Sequence, residues 1–308
     1  MKIEMESLIK NIEKSPIPYT LDIVLEPGSF NGAYEIGGLM FLQEMEKHKF
    51  FTVGRISGSS IGAFAAFLYF TDNLHKYIEI YEYLCKSFLE NITIEKLKDV
   101  MLEMVNSIDD DLFKTLQHNK LYITTYDVQK MQQIIKSDYK TREDIVDAVL
   151  KSCHLPLLIN GHIFFKSNGE YFFDGGMPYI FRMRENDPKY RIIYLSVTTL
   201  GKLKKILNIK GEKTAYGRIL EGILDVYTFF HEKKETIMTS FVHEWNWQHF
   251  LRLRLAHFIM LYITYNMILI HKLVTFLYPK IKNTTLFKHF APFIRNIYND
   301  IVLYLIFK

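Results

Sequence analysis

The first 200 residues alternate between short apolar runs, typical of buried strands, and longer stretches with helical periodicity. The first apolar run is 21–25, and 33–48 follows with apolar positions spaced as on one helix face. Further strands are predicted at 51–56, 121–126, 163–165, 171–173 and 190–197. Further helices are predicted at 63–69, within 73–117 and at 145–153. Strands that alternate with helices predict an α/β layered fold.

From about Gly201 the pattern becomes helical to the end of the chain. The stretch 258–278 is nearly all apolar, apart from an interruption at His271 and Lys272. Three interpretations stay open for it: a helix lying in a membrane interface, a buried core helix, and a membrane span. We therefore predict that the chain has three parts: a lead segment 1–18, an α/β domain 19–200 and a helical extension 201–308.

Composition fits a globular chain, since 49% of the 308 residues are hydrophobic and 23% are charged. The two cysteines, Cys85 and Cys153, provide neither a disulfide framework nor metal-ligand spacing, which suits a reducing compartment. The first residues, 1–6, include acids and no long apolar run. We therefore expect an intracellular protein without a signal peptide.

The net charge of +4 conceals an asymmetry between the two ends of the chain. Residues 251–308 contain eight Lys or Arg and a single acid, so this segment carries +7 and residues 1–250 carry −3. The basic segment is also the most apolar one. Its apolar centre, 258–278, is flanked by Arg252, Arg254, Lys280 and Lys282. Nucleic-acid binding would favour a basic polar surface. A basic and apolar segment favours an anionic membrane surface, so we expect membrane association and no nucleic-acid partner.

A G-x-S-x-G pattern at 58–62 lies between a predicted strand and a predicted apolar helix. A strand that turns sharply into a helix at Ser60 exposes the hydroxyl as a nucleophile. The helix N-terminus then directs backbone N–H groups toward it. Gly58 and Gly62 would allow the tight turn. An ordinary Gly/Ser turn that caps a helix is the alternative.

Asp174, which follows the predicted strand 171–173, is a better candidate for the base than any histidine. A partly desolvated aspartate has a raised pKa and is a stronger base than a solvated one. Gly175 and Gly176 leave room around the carboxylate, although a plain Asp-Gly turn is the alternative reading. None of the eleven histidines lies in a context that singles it out. A Ser–His–acid triad, as in an α/β-hydrolase, stays open.

An oxyanion hole is predicted in the loop 28–32, just before the helix at 33–48. Gly28, Ser29 and Phe30 offer adjacent backbone N–H groups, and this arrangement suits a developing oxyanion. The alternatives are a plain connection and a degenerate dinucleotide-binding loop. Pro27 and Ser29 argue against a dinucleotide-binding loop, because that loop needs the pattern G-x-G-x-x-G.

The loop at 28–32, the G-x-S-x-G pattern at 58–62 and the Asp-Gly-Gly sequence at 174–176 occur in this order along the chain. Together they resemble the motifs of the patatin-like phospholipase family. The family pattern is a glycine-rich D/E-G-G-G-x-R/K-G loop, then G-x-S-x-G, then D-G-G or D-G-A. The corresponding segments here are 23–34, 58–63 and 174–176. The motif glycines are Gly32, Gly58, Gly62, Gly175 and Gly176. The resemblance covers roughly residues 19–200, with softer matches over 141–156.

The resemblance implies a three-layer α/β/α fold with a helical C-terminal extension. It also implies a Ser60–Asp174 dyad that needs no histidine, no metal and no other cofactor. The implied activity is hydrolysis of acyl esters in phospholipids or other lipids. Three departures weaken the match. Pro27 and Ser29 stand where the family pattern has glycine, and Asn31 stands where the family usually has Arg or Lys. A catalytically weak or inactive membrane-binding relative is therefore the alternative function.

Overall fold

The computed structural model of the chain describes residues 2–182, 187, 189–212 and 214–307. Its helices are α1 (Lys2–Ile9), α2 (Gly32–Lys47), α3 (Ile61–Phe70), α4 (Tyr77–Asn91), α5 (Lys96–Asn106), α6 (Asp110–Gln117), α7 (Arg142–Ser152), α8 (Leu200–Leu203), α9 (Tyr216–Glu232), α10 (Trp247–Ile281) and α11 (Thr285–Ile306). Its strands are β1 (Thr20–Leu25), β2 (Thr52–Ser59), β3 (His118–Asp127), β4 (Gln132–Asp138), β5 (Phe165–Ser167), β6 (Glu170–Asp174), β7 (Tyr190–Leu195) and β8 (Thr239–Phe241).

The eight strands form one mixed sheet in the order β5-β6-β3-β2-β1-β7-β8, with β4 paired to β3 off this path. The centre, β3-β2-β1-β7, is parallel, and β4, β5, β6 and β8 join antiparallel. Parallel strands present their carboxyl ends at the same edge of a sheet. The ends of β1, β2 and β7 therefore meet at one edge, where the candidate site lies.

The sheet buries both of its faces, as β1 shows. Ile23 and Leu25 point into the larger core, which is built with α2, α3, α7 and α9, whereas Val24 points into a second cluster on the opposite face. That second face is covered by the segment around Phe181 and by Leu253 of α10. The predicted α/β class and three-layer α/β/α arrangement are confirmed.

The strongest apolar runs became strands and helices close to their predicted positions, and two strands were missed. β4 is mostly half-buried or exposed, so its sequence lacks a clear apolar alternation. β8 has three residues and lies inside a stretch predicted as helical only. A domain boundary at residue 200 stays a prediction. The structure shows that α9 packs on α2 and that β8 extends the sheet from β7.

The last two helices bury few residues for their length. Thr264 is the one residue of α10 that is buried, and Val302 and Ile306 are those of α11. The interpretation of 258–278 as a buried core helix is therefore wrong. One side of α10 still contacts the domain, since Met260 packs beside the cluster around Phe164 and Phe173.

Candidate active site

The turn between β2 and α3 holds Ser60 in a strained backbone conformation, with φ 55° and ψ −126°. A non-glycine residue rarely adopts this φ, and such strain is typical of functional turns. The neighbouring glycines are required by space. A Cβ on Gly58 would lie 2.3 Å from the backbone of Gly62, and one on Gly62 would lie 2.8 Å from Cβ of Leu25. The turn therefore has the strand–serine–helix geometry of a nucleophile elbow.

The C-terminal end of α7 holds this turn in place. The N–H of Ser60 donates a hydrogen bond to Oγ of Ser152 at 2.8 Å, and the thiol of Cys153 donates to the carbonyl oxygen of Ser60 at 3.1 Å. Helix α7 itself begins with a capping box formed by Thr141 and Asp144. The backbone of Ser60 is thus tied to α7 on both sides of its Cα.

Asp174 ends β6, which pairs with β3 beside β2, and this register brings its carboxylate to Ser60. The carboxylate accepts a hydrogen bond from the N–H of Gly176 at 2.8 Å and interacts with the Ser60 side chain. Burial raises the pKa of Asp174 to about 6, and the hydrogen bonds from Ser60 and Gly176 only partly offset this rise. The structure therefore places the Ser60 side chain beside a buried carboxylate with a raised pKa, a combination typical of functional sites.

The two glycines after Asp174 lie in tight contacts. A Cβ on Gly175 would lie 2.1 Å from the carbonyl oxygen of Thr124. Gly176 has φ +66°, in the left-handed region that favours glycine, and a Cβ there would lie 1.6 Å from Sδ of Met260. Met260 belongs to α10, so the C-terminal extension directly contacts the loop that follows Asp174.

The loop after β1 faces the same edge, as predicted, and turns through a short 3-10 helix at Ser29–Asn31. In the described part of the chain, no acceptor takes the N–H of Gly28 or of Ser29. The N–H of Phe30 differs, because it donates to the carbonyl oxygen of Ile206 at 3.1 Å. Of the three predicted oxyanion donors, the structure therefore leaves Gly28 and Ser29 available and engages Phe30 elsewhere.

An apolar cavity opens beside Ser60 and Ser29. It continues between α3, α4 and α5 toward the interior. Its wall includes Phe64, Leu84, Phe88, Leu97 and Ile159. A hydrocarbon chain is the ligand that such a wall accommodates, because it offers almost no hydrogen-bond partners.

Comparison with known proteins decides the family. The family model described as patatin-like phospholipase matches residues 23–188, more than half of the chain. The chain belongs to the patatin-like phospholipase family. Members of this family are generally lipid acyl hydrolases. No curated protein matches the chain in sequence.

Among solved structures, VipD from Legionella pneumophila is similar to this patatin-like chain at 15% identity and a TM-score of 0.36. The alignment covers 59% of this chain and 52% of VipD, so the chain spans about half the length of that relative.

Glu26 begins the glycine-rich loop of this patatin-like protein and ties it to β7. It is 4% exposed, and its carboxylate accepts six hydrogen bonds. The donors are Tyr194 Oη, Ser196 Oγ, the N–H groups of Val197 and Thr198, Thr198 Oγ1 and Arg252 Nη2. Sequence analysis assigned Arg252 to the membrane flank only. In the structure, it links α10 to the loop that precedes Ser60.

All eleven histidines lie within the described residues, and none of them hydrogen-bonds to Ser60 or Asp174. His154 is the histidine nearest in sequence to α7, and burial lowers its pKa to about 4. Among the described residues, no group of three His, Cys, Asp or Glu side chains is arranged to hold a metal ion. Within the part of the chain that the structure describes, Asp174 is thus the titratable group that interacts with the Ser60 side chain.

Ser152, Cys153 and Arg252 are site residues that sequence reasoning did not assign. Ser152 stood within the segment 141–156 that resembles the family helix, so a weak signal existed for it. Cys153 lies in the same segment, but nothing in the sequence singled it out. Arg252 gave no such signal, because it contacts Glu26, which lies 226 positions away along the chain.

Proposed function

We propose that this protein hydrolyses acyl ester bonds of membrane phospholipids, as a phospholipase A-type enzyme, through a Ser60–Asp174 dyad and an acyl-enzyme. The observation that carries the proposal is the convergence of three features at one sheet edge. A strained serine, a buried carboxylate whose pKa is raised to about 6 and an apolar cavity meet there. Family membership supports the coarser function of lipid acyl hydrolysis.

In the first step, Oγ of Ser60 attacks the ester carbonyl carbon and transfers its proton to the Asp174 carboxylate. The developing oxyanion accepts hydrogen bonds from the N–H groups of Gly28 and Ser29, with further stabilisation from the N-terminus of α3. The tetrahedral intermediate collapses, the ester C–O bond breaks, and Asp174 returns the proton to the leaving lysolipid alcohol. Ser60 now carries the acyl group.

In the second step, Asp174 takes a proton from water as that water attacks the acyl carbonyl carbon. The acyl–Oγ bond then breaks, Ser60 regains its proton from Asp174, and a free fatty acid leaves. The cavity between α3, α4 and α5 supports this assignment, because the acyl chain of either the substrate or the acyl-enzyme would extend into it from Ser60.

The face formed by α10 and α11 supports docking on an anionic membrane. Large apolar side chains along α10 are exposed, among them Phe258 at 63% and Tyr262 at 71%. In the described part of the chain, Arg254, Lys280 and Lys282 have no carboxylate partner. By length and composition α10 could cross a membrane, but its Met260 side packs on the loop that follows Asp174. We therefore propose that α10 lies in the interface.

We also propose a location on membranes that face a reducing compartment. Both cysteines, Cys85 and Cys153, are free thiols in the structure. Burial raises the pKa of each thiol above its ordinary value, to about 11 for Cys85, so neither is a reactive thiolate near neutral pH.

The test is fatty-acid release from vesicles of phosphatidylcholine and phosphatidylglycerol. Ser60→Ala and Asp174→Asn should each lower the release rate by at least about 10³-fold, because the dyad acts as a unit. Ser59→Ala is the matched control: this adjacent serine is fully buried, and its hydroxyl has no hydrogen-bond partner among the described residues. It should keep activity. Equal activity of wild type and Ser60→Ala would refute the dyad.

A second candidate, a weakly active or inactive membrane-binding protein, is favoured by the altered loop. Pro27 has no N–H to offer, and Ser29 has φ 47°, a strained value where the family pattern has glycine. Loss of one oxyanion donor typically costs about 10²–10³-fold in rate. This candidate predicts vesicle binding with no fatty-acid release from either the wild type or Ser60→Ala.

A further inference from the structure

Arg218 of α9 is 2% exposed, and all five of its N–H groups are used. It donates to both carboxylate oxygens of Glu212 at 2.7 and 2.9 Å. It also donates to the carbonyl oxygens of Lys205 and Asn208 at 2.9 and 2.7 Å, and to Oδ1 of Asn31 at 2.9 Å. Since an arginine has five N–H donors, this guanidinium is saturated by the fold itself.

Asn31, which accepts one of these hydrogen bonds, belongs to the loop 28–32 that was predicted as the oxyanion hole; this loop is called the oxyanion turn below. Its side chain is fully buried, and its amide group donates to the carbonyl oxygens of Val197 and Lys202, both at 2.9 Å. Its backbone N–H donates to the carbonyl oxygen of Gly28 at 2.9 Å. Arg218 occupies the remaining acceptor of this amide, so it fixes how Asn31 is oriented beneath Gly28.

A second route reaches the same turn through residues 205–208. Arg218 holds this segment by the carbonyl groups of Lys205 and Asn208. Between them, the carbonyl oxygen of Ile206 accepts the N–H of Phe30 at 3.1 Å. One guanidinium therefore anchors the turn at two successive residues, Phe30 and Asn31.

The position of Arg218 is itself fixed by close packing between α9 and α2. A Cβ on Gly37 would lie 1.9 Å from the carbonyl oxygen of Ile219, and one on Gly222 would lie 2.0 Å from that of Tyr34. Such backbone contact leaves no freedom for α9 to slide along α2. Since α2 begins at the end of the turn, the guanidinium is held at a constant distance from it.

We propose that Arg218 is a positioning residue that holds the N–H groups of Gly28 and Ser29 in the orientation that an oxyanion needs. Asn31 stands where the family pattern has Arg or Lys. In this chain, the cationic side chain that contacts the turn is therefore Arg218, which is supplied by α9 and not by the turn itself. Glu212 neutralises its charge, and its role is therefore geometric. The inference rests on the proposed function for the part that concerns catalysis.

The test is the hydrolysis of a soluble short-chain ester, 4-nitrophenyl butyrate, by Arg218→Met. We expect kcat to fall about 100-fold, the typical cost of one displaced oxyanion donor, with KM within about twofold of wild type. Arg55→Met is the matched control: this partly buried arginine pairs with Asp22 on the halves of β1 and β2 away from Ser60. It should lose stability yet keep kcat within about twofold below its melting temperature.

Hydrogen–deuterium exchange of the amides at 28–32 provides a readout that does not depend on turnover. Arg218→Met should accelerate this exchange at least about tenfold, and Arg55→Met should leave it unchanged. An inactive wild type with this exchange pattern would defeat the proposed function while the positioning role stands. Unchanged exchange in Arg218→Met, or a kcat equal to that of Arg55→Met in an active protein, would overturn the positioning role.

Discussion

Two apolar helices of this protein, α3 and α10, lie in opposite environments. In α3, eight of the ten residues are buried, and the helix fills the core directly behind Ser60. In α10, Thr264 is buried and the rest of its 35 residues are partly or fully exposed. Apolar composition alone therefore does not say what a helix contacts.

The flanking residues explain the difference. The helix α3 has no charged residue in its sequence and contacts the sheet along its length. The helix α10 has Arg252 and Arg254 near one end and Lys280 and Lys282 at or just beyond the other. Charges at both ends keep a helix at a surface, and the apolar stretch between them can be buried only by a further apolar phase. In the proposed function a lipid interface meets that need, and it would also deliver substrate to the edge where α10 touches Gly176.

The largest expected effect is on stability, and it compares one phenylalanine from each helix. Phe67 in α3 is fully buried, and Phe258 in α10 is 63% exposed. Phe67→Ala should lower the free energy of unfolding by about 3–5 kcal/mol because it leaves a cavity, whereas Phe258→Ala should change it by less than about 0.5 kcal/mol. Urea unfolding in the absence of lipid measures both. Similar losses for the two variants would mean that α10 is buried in solution.

The next effect is on membrane binding, where the roles of the helices reverse. The double variant Phe258→Ser/Tyr262→Ser should weaken partitioning into anionic vesicles about 10- to 100-fold, because burying two aromatic side chains contributes several kcal/mol at most. The matched control is Ile3→Ser in α1, an apolar residue that is 82% exposed outside the α10–α11 face. Co-sedimentation with vesicles measures both. Equal binding by the double variant and wild type would contradict interfacial docking of α10.

Sequence reasoning reached those features whose signal is local. The strands β1, β2 and β3 have continuous apolar runs, and Ser60 and Asp174 stand in short motifs beside predicted strand ends. The supports of the site are not local: Arg218 lies 187 positions from Asn31, and Arg252 lies 226 positions from Glu26. No periodicity or short motif encodes such a pair, so these residues were found only after folding brought them together.

The engagement of Phe30 is a further example. The loop sequence offers three adjacent N–H groups, and nothing in it distinguishes the third from the first two. The 3-10 turn at Ser29–Asn31 rotates the N–H of Phe30 toward Ile206, which belongs to a segment almost 180 positions later. Helical propensity and motif spacing cannot predict which donor a distant carbonyl group will take.

The last prediction separates the two regions by pH. The base in the proposed mechanism acts only when it is ionised, and burial raises the pKa of Asp174 to about 6. Hydrolysis of 4-nitrophenyl butyrate should therefore be near its plateau at pH 8 and about tenfold lower at pH 5, falling with the slope of one proton. Vesicle binding should not weaken over the same range, because the positive charge that flanks α10 comes from lysine and arginine, residue types whose ordinary pKa values lie well above pH 8. A hydrolysis rate that is constant between pH 5 and 8 would contradict Asp174 as the base. Vesicle binding that is lost in parallel with the hydrolysis rate would instead assign the pH dependence to α10.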